Sequence, residues 1–110
     1  MGDYLIPNLK ADEQPQGTVT KYGMLRETFL KEHHSGVYSA FLLDGKLKAH
    51  LLEIQEQAET RMEEMTEKMA RAQGVDGKLK EGNQMLWVKK MNSIRASAEE
   101  IVLNELIYTL

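Results

Sequence analysis

The chain has 110 residues, enough for one domain with a modest core but not for two. Hydrophobic residues (42%) and charged residues (28%) stand in the proportions of a folded globular protein, which excludes a disordered chain. The lack of cysteine excludes disulfides and thiolate metal or redox sites and is expected of a cytoplasmic protein, while the net charge of −3 argues against indiscriminate attraction to nucleic acid.

Residues 1–19 are predicted to form an extended strap and a linker. Tyr4-Leu5-Ile6-Pro7 is a short apolar run, and its proline pushes the preceding residue toward extended backbone, so we expect the run to lie across the helices. Residues 10–17 are polar and contain Pro15 and Gly17, which predicts a surface loop. This start lacks the basic flank and apolar run of a signal peptide, and no segment of the sequence is long enough to span a bilayer.

Residues 20–45 are predicted to form two short helices. The first runs from about Lys21 to His33, with Thr20 as its N-cap. Tyr22, Leu25 and Phe29 share the apolar face of this helix, and its polar flanks are mostly formed by Arg26, Glu27, Lys31 and Glu32. Gly23 costs a helix roughly 1 kcal/mol relative to alanine. Such a glycine is sensible if another backbone packs closely against it.

The second short helix is predicted to begin at Ser35 as its cap and to end at Leu43. His34-Ser35-Gly36 breaks the first helix, and Asp44-Gly45 is a turn signal that separates the second helix from the next one. The residues expected to be buried are Val37 or Tyr38, together with Phe41 and Leu42.

Residues 46–110 are predicted to form a long helical hairpin. The segment Lys46 to Ala72 has the longest clean helical pattern, with apolar residues spaced by three and four. Gly74 at C′ and Asp76 as the next N-cap close a turn so short that the two long helices become antiparallel neighbours.

The final helix is predicted to run from about Leu79 to Leu110. A single stripe of it carries Trp87, Met91, Ile94, Ala98 and Ile101. Gly77 and Gly82 weaken its first turns, so we expect fraying or a bend before Asn83. From residue 101 onward apolar residues surround the helix, which implies burial on several sides by the N-terminal elements and by a second subunit.

These patterns predict an all-α fold with a single helical domain over residues 1–110. Its parts are an antiparallel helical hairpin of two long helices, two short N-terminal helices and an extended N-terminal strap. A hairpin by itself cannot bury two wide apolar stripes, so we expect a homodimer that completes a helix bundle. The residues predicted for the core or the subunit interface are Leu47, Leu51, Ile54, Met62, Met65, Met69, Trp87, Met91, Ile94, Ile101 and Leu106.

Two groups of basic residues are candidates for contact with nucleic acid. They are Lys21, Arg26, Lys31 and His34 in the first group, and Lys89, Lys90 and Arg95 in the second. The competing interpretation is a solvated surface, because Glu27, Glu32 and Asp44 cancel the charge of the basic residues in 17–45. The second short helix has no Arg, Lys, Asn or Gln to read bases, so we do not expect it to bind a specific DNA sequence.

His33, His34 and His50 form the one possible metal constellation in the sequence. Adjacent residues of a helix point about 100° apart, so His33 and His34 do not easily share an ion. The sequence also lacks a Ser–His–Asp grouping, a glycine-rich phosphate loop and a zinc-protease signature. We therefore expect no enzymatic activity, no metal, no cofactor and no small-molecule substrate.

A set of ordered blocks extends over nearly the whole chain. The blocks are Tyr4-Leu5-Ile6-Pro7-Asn8-Leu9, Lys21-Tyr22-Gly23, Phe29-Leu30-Lys31-Glu32-His33, Leu42-Leu43 with Gly45-Lys46-Leu47, Trp87-Val88, Met91-Asn92 with Ile94-Arg95-Ala96, and Ala98-Glu99-Glu100-Ile101-Val102-Leu103. Together they resemble the TnpV family of transposon-encoded proteins. The chain departs from the family pattern at Gly77 and Gly82, where the family has better helix formers, and this leaves the start of the final helix open.

The resemblance implies a genetic context more than a chemistry. Family members accompany transposition and excision genes, and no catalytic residues are defined for them. The first hypothesis is therefore a non-enzymatic accessory protein of an integrative mobile element, associated with DNA during excision or transposition. The alternative is a helical protein-interaction module that binds a recombinase or a host protein without direct DNA contact.

Overall fold

The computed structural model of the protein describes residues 17–110, and all regular secondary structure in this part of the chain is helical, which confirms the all-α prediction. The Tyr4–Pro7 strap and the linker up to residue 16 lie outside the described residues. The helices are α1 (Lys21–His33), α2 (Ser35–Leu43), α3 (Leu47–Ala72), α4 (Gly77–Gly82) and α5 (Gln84–Val102), followed by a π-helical segment, Leu103–Ile107.

The chain divides into two compact units at Gln55. The described part of the first unit holds α1, α2 and the beginning of α3, and its most deeply buried apolar side chains are Leu30 and Leu51. The second unit holds the rest of α3, then α4, α5 and the π-helical segment. No helix within residues 17–110 is long and apolar enough to cross a membrane.

Helix α1 has the predicted bounds, but its buried face is not the predicted one. Tyr22, Leu25 and Phe29 are only half-buried. The buried residues of α1 are instead Gly23, Arg26 and Leu30. Thr20 occupies the N-cap position as predicted, yet its side chain makes no capping hydrogen bond. The backbone N–H of Thr20 instead donates to Oε1 of Gln55 on α3, at 2.6 Å.

Gly23 lies where the sequence predicts a close approach. A Cβ added there would stand 2.6 Å from Cγ1 of Val19, 2.8 Å from Oε1 of Gln55 and 3.6 Å from the backbone oxygen of Leu51. The first two distances are shorter than nonbonded carbon contacts allow. The missing side chain of Gly23 is therefore what lets α1 approach α3.

Helix α2 has the predicted bounds, but its N-cap position is His34, and Ser35 is its first helical residue. The prediction that α2 buries apolar residues is wrong, because none of its residues is buried and Leu42 is 56% exposed. The helix ends as the turn signal predicts: Gly45 has a φ of +70°, and the N–H of Lys46 donates to the carbonyl of Phe41 at 2.9 Å.

Helix α3 ends in the same type of C-cap. Gly74, the predicted C′ residue, has a φ of +70°, and the N–H of the next residue, Val75, donates to the carbonyl of Ala70 at 2.8 Å. This turn directs the side chain of Val75 into an apolar cluster with Met91 and Ile94 of α5. The partly buried residues packed against the cluster are Met69, Ala70, Leu79 and Trp87.

The predicted single final helix is wrong, because residues 77–107 form three helical segments. Asp76 caps α4 as predicted by accepting from the N–H of Leu79 at 3.0 Å. A break follows Gly82, where the sequence predicts a bend, and the side chain of Asn83 caps α5 by accepting from the N–H of Leu86 at 3.2 Å. The long helix of this region therefore begins at Gln84.

The predicted core residues are buried to different degrees. Leu51, Met91 and Ile94 are buried. The others are partly buried: Leu47, Ile54, Met62, Met65, Met69, Trp87, Ile101 and Leu106. At the C-terminal end Val102 and Ile107 are fully buried, whereas Tyr108 and Leu110 are 44% and 66% exposed. Within a single chain the predicted burial on several sides therefore holds only in part: Leu103 and Leu106 are partly buried, Asn104 and Glu105 are exposed, and cover by a second subunit stays a prediction.

We predict that Gly23→Ala destabilises the protein by about 1–3 kcal/mol, because the new methyl group overlaps Val19 and Gln55 and overpacking outweighs the better helix propensity. The free energy of unfolding in urea measures the change. Gly36→Ala is the matched control, since a Cβ there meets no atom within 4 Å, and it should be neutral or stabilising by up to about 1 kcal/mol. Equal effects of the two substitutions would contradict the close approach at Gly23.

Candidate functional site

A buried polar pair joins α1 to α3 in the first unit. Arg26 is 5% exposed, and its Nε donates a hydrogen bond to Nε2 of His50 at 3.2 Å. The prediction that Arg26 lies on a polar flank of α1 is therefore wrong. Its guanidinium carbon also lies 5.6 Å from the centre of the Phe29 ring. An arginine held inside the fold in this way stabilises packing and does not reach a phosphate on a DNA surface.

The hydrogen bond fixes the charge state of His50. Because Nε2 accepts from Arg26, the imidazole is neutral and carries its proton on Nδ1. Burial lowers the pKa of His50 below its ordinary value, the nearby charge of Arg26 lowers this pKa further, and Glu53 partly offsets both. The ring also stacks on Phe41, with centroids 4.5 Å apart and planes 17° apart.

The two other histidines contact a different aromatic ring. The rings of His33 and His34 lie 5.5 Å and 5.1 Å from that of Phe29. Residues 17–110 contain no group of three or more His, Asp or Glu side chains placed to hold a metal ion. With Nε2 of His50 engaged by Arg26, the histidines of this unit act as ring and hydrogen-bond partners within the fold.

Gln55 is the second buried polar side chain of the first unit, at 8% exposure. Its Oε1 accepts from the N–H of Thr20, and its Nε2 donates to the carbonyl of Thr18 at 3.0 Å. Both polar atoms of the amide are thereby paired with backbone that precedes α1. The side chain of Gln55 thus satisfies the backbone N–H of the N-cap residue itself, a different donor from those that the hydroxyl of Thr20 would have capped.

The remaining basic candidates differ in exposure and in what they contact. Lys21 and Lys31 are exposed, and each ammonium lies over a tyrosine ring, at 5.7 Å from the centroid of Tyr22 and 5.5 Å from that of Tyr38. His34 is half-buried. On α5, Lys89 is exposed and Lys90 is half-buried. Arg95 is exposed but lines a groove on α3 and α5 that does not include Lys89, so the second basic group is divided.

The feature of the second unit that most suggests a binding site is an exposed apolar patch on the first turn of α5. We call it the α5 patch and define it as Met85, Leu86 and Val88, which are 84%, 37% and 42% exposed. A shallow depression of about 340 Å³ includes all three, together with Asn83, Lys89 and Asn92. Isolated apolar residues on a surface are common, whereas a contiguous patch bordered by polar groups is typical of an interaction site.

Trp87 lies within the same turn but faces the core. It is half-buried against the cluster of Val75, Met91 and Ile94. The ammonium of Lys80 lies 4.7 Å from the centre of its ring, which adds a cation–π contact between α4 and α5. Packing of Trp87 thus orients α5 so that Met85 points away from the cluster, while Val88 lies at the edge of the buried face.

Sequence patterns contain signals for two of the features that the predictions missed. Met85, Leu86 and Val88 do not fall on the apolar stripe of the final helix, and apolar residues off a stripe indicate a second contact surface. Gln55 follows Leu51 by four residues and precedes Ala58 by three, which places it on the buried stripe of α3. The Arg26–His50 pair has no comparable signal, because the two residues are 24 positions apart.

Comparison with known proteins identifies one match. The family model described as "Transposon-encoded protein TnpV" matches residues 1–107. No curated protein and no solved structure matches the chain.

We predict that the protein loses stability as pH falls below about 6.5, the ordinary pKa of histidine. Since the pKa of His50 is lowered in the fold, the unfolded chain binds a proton at His50 more readily, and the contribution is fully present only above that pH. The free energy of unfolding should be measured between pH 7.5 and 5.5. His50→Gln should flatten this dependence. An unchanged slope in His50→Gln would contradict the assignment.

Proposed function

The chain belongs to the TnpV family of transposon-encoded proteins, and on that premise we propose that it is a non-enzymatic accessory protein of a mobile element that acts by binding another protein. The α5 patch carries the proposal. An apolar surface of this kind suits protein contact, because its exposure to water is unfavourable until a partner covers it. Family membership supplies the mobile-element context.

The arrangement of the second unit supports a rigid platform for this patch. Within residues 56–110, Met69 and Ala70 pack with Met91 and Ile94, while Nε of Arg61 lies 3.3 Å from Oε1 of Glu105. The beginning of α5 thus packs against the end of α3, and the π-helical segment after α5 pairs with an earlier residue of α3. We propose that these contacts form the antiparallel hairpin expected from the short turn at Gly74.

The charges around the α5 patch favour a partner with an acidic apolar segment. Lys89 borders the patch together with the polar side chains of Asn83 and Asn92. Lys80 lies over the adjacent Trp87 ring and adds a second positive charge to this end of the unit. An amphipathic helix with apolar residues on one face and carboxylates beside them complements such a surface. The recombinase of the same element is the partner that the family context proposes.

We predict that the purified protein binds the recombinase of its element and that Met85→Glu with Val88→Glu weakens this binding by about tenfold or more, because two carboxylates then oppose an acidic apolar segment. Titration calorimetry measures the dissociation constant. Leu43→Glu is the matched control, since Leu43 is 87% exposed on α2, outside the patch, and this variant should bind as the wild type does. Absence of binding by the wild type, or equal weakening by both variants, would contradict the proposal.

Direct DNA contact is the second candidate function, and one observation favours it. Lys89 is exposed beside Asn92, with Lys90 next in sequence, so two cations and an amide lie on one stretch of α5. Lysines at this density suit phosphate contact, which carries no sequence preference. The burial of Arg26 and the separate position of Arg95 leave this stretch as the basic site that the structure favours.

For this candidate, the prediction is that Lys89→Ala with Lys90→Ala weakens binding to duplex DNA by about tenfold at low salt and reduces its salt dependence, because two phosphate contacts are lost. Mobility-shift titrations at two salt concentrations, with element-end DNA and scrambled DNA, provide the measurement. Lys68→Ala, at an exposed position of α3, is the control and should bind as the wild type does. Wild-type protein that shifts neither DNA would rule out the DNA function and leave protein binding as the proposal.

A further inference from the structure

A groove in the second unit is lined on one side, or bank, by residues of α3 and on the other by residues of α5. It encloses about 430 Å³ and is open to solvent along its length. The bank on α3 carries Met62, Glu63, Thr66, Glu67 and Ala70, and the bank on α5 carries Met91 and Arg95. Apolar side chains form the floor, and charged side chains form the two rims.

The floor of the groove is only partly covered. Met91 is 9% exposed, while Met62 and Ala70 are half-buried. Methionine is flexible and polarizable, so it packs equally well against its own chain and against a second surface. The stripe of α3 therefore retains apolar area that a partner could still remove from water.

The rims carry charges of opposite sign that do not neutralise each other. Within residues 17–110 the side chains of Glu63 and Arg95 make no ion pair and no hydrogen bond, although both line this groove. Glu67 is bonded to Arg71 at 3.3 Å, but both of these side chains are about three-quarters exposed, so this pair is weak. The groove thus has a negative rim on α3 and a positive rim on α5.

We infer that a second copy of this chain docks on the groove. A two-fold axis running along the groove places α3 of each copy over α5 of the other. Arg95 of each copy then faces Glu63 and Glu67 of the other, and the two apolar floors meet between the rims. The same surface serves both copies, as a two-fold symmetric interface requires.

The sign of the rims argues against other occupants. DNA or an acidic segment would be repelled by Glu63 and Glu67, and a basic segment would pair with these carboxylates but leave the charge of Arg95 without a partner. One rim of the groove is negative and the other is positive. A rotation by 180° about the two-fold axis therefore brings each rim of one copy opposite the rim of opposite charge in the other copy. This inference does not depend on the α5 patch, which lies in a separate depression lined by Met85 and Val88.

Charge reversal tests the interface. Wild-type protein should be a dimer by light scattering and sedimentation. Arg95→Glu should weaken the dimer by about tenfold or more, since three carboxylates then face each other across each rim. The double variant Glu63→Arg with Glu67→Arg should do the same through repulsion from Arg95. Lys78→Glu is the matched control, because it makes the same charge change at an exposed position of α4 that does not line the groove, and it should dimerise as the wild type does.

Mixing the two reversed proteins gives the decisive result. In the heterodimer each reversed rim meets a rim of opposite sign, so dimer should return at a 1:1 ratio although neither protein dimerises on its own. Repulsion within one chain cannot be relieved in this way. A monomeric wild type, reversed variants that dimerise as the wild type does, or a mixture that stays monomeric would each overturn the proposal.

If a charge-reversed variant loses the circular dichroism spectrum of the wild type, its loss of dimer no longer tests the interface. A crosslinking experiment then tests the interface instead. The chain has no cysteine, so Thr66→Cys introduces a single thiol in the middle of the groove. A short bis-maleimide should join two copies through this thiol and should not join copies of Ser93→Cys, at an exposed position of α5 that does not line the groove. Equal crosslinking of both variants, or none at Thr66→Cys, would overturn the proposal.

Discussion

The structure of the second unit depends on the burial of one face of α5. Met91, Ile94, Ala98 and Val102 follow spacings of three and four, so they return to the same side of the helix and are buried together. A helix that buries this face must turn its opposite face outward. The exposed position of Met85 is a consequence of that constraint, whereas Val88, three residues before Met91, lies at the edge of the buried face and is 42% exposed. The surface to which we assign a function thus depends on the rotation of α5 that the core fixes.

The first unit depends on the pairing of buried polar groups. An unpaired buried donor or acceptor costs about 1–3 kcal/mol. Nε of Arg26 donates to Nε2 of His50. The amide of Gln55 accepts through Oε1 and donates through Nε2, in both cases with backbone atoms that precede α1. These pairs and the close approach at Gly23 hold α1 against α3. Their role is to maintain the fold of the first unit, whereas the surfaces that we propose for binding belong to the second unit.

The sequence predicts the helices well because their boundaries depend on local chemistry. Gly45 and Gly74 end helices through positive φ angles, and Asp76 begins one through its own carboxylate. Buried faces are predicted less well, because they depend on distant neighbours. The pattern of α1 favours the face of Tyr22, whereas the face of Gly23 and Arg26 is buried, since Gln55 and His50 of α3 provide partners for it. No local rule indicates that an arginine will lie inside the fold.

The candidate sites can likewise be predicted only in part from local sequence. The basic residues are visible in the sequence, but their separation between different surfaces follows from three-dimensional structure. The α5 patch is visible only as apolar residues that the stripe does not use. The groove forms only where α3 and α5 lie side by side, whereas a sequence pattern describes the face of one helix at a time.

The central claim is that α5 buries Met91 and exposes Met85. Methyl NMR of protein labelled at its methionine methyl groups, with a soluble paramagnetic agent added, tests it directly. The account predicts strong broadening of the Met85 signal, at 84% exposure, and little broadening of the Met91 signal, at 9%. A protected Met85 methyl together with a broadened Met91 methyl would show that α5 has the opposite rotation and would contradict the account.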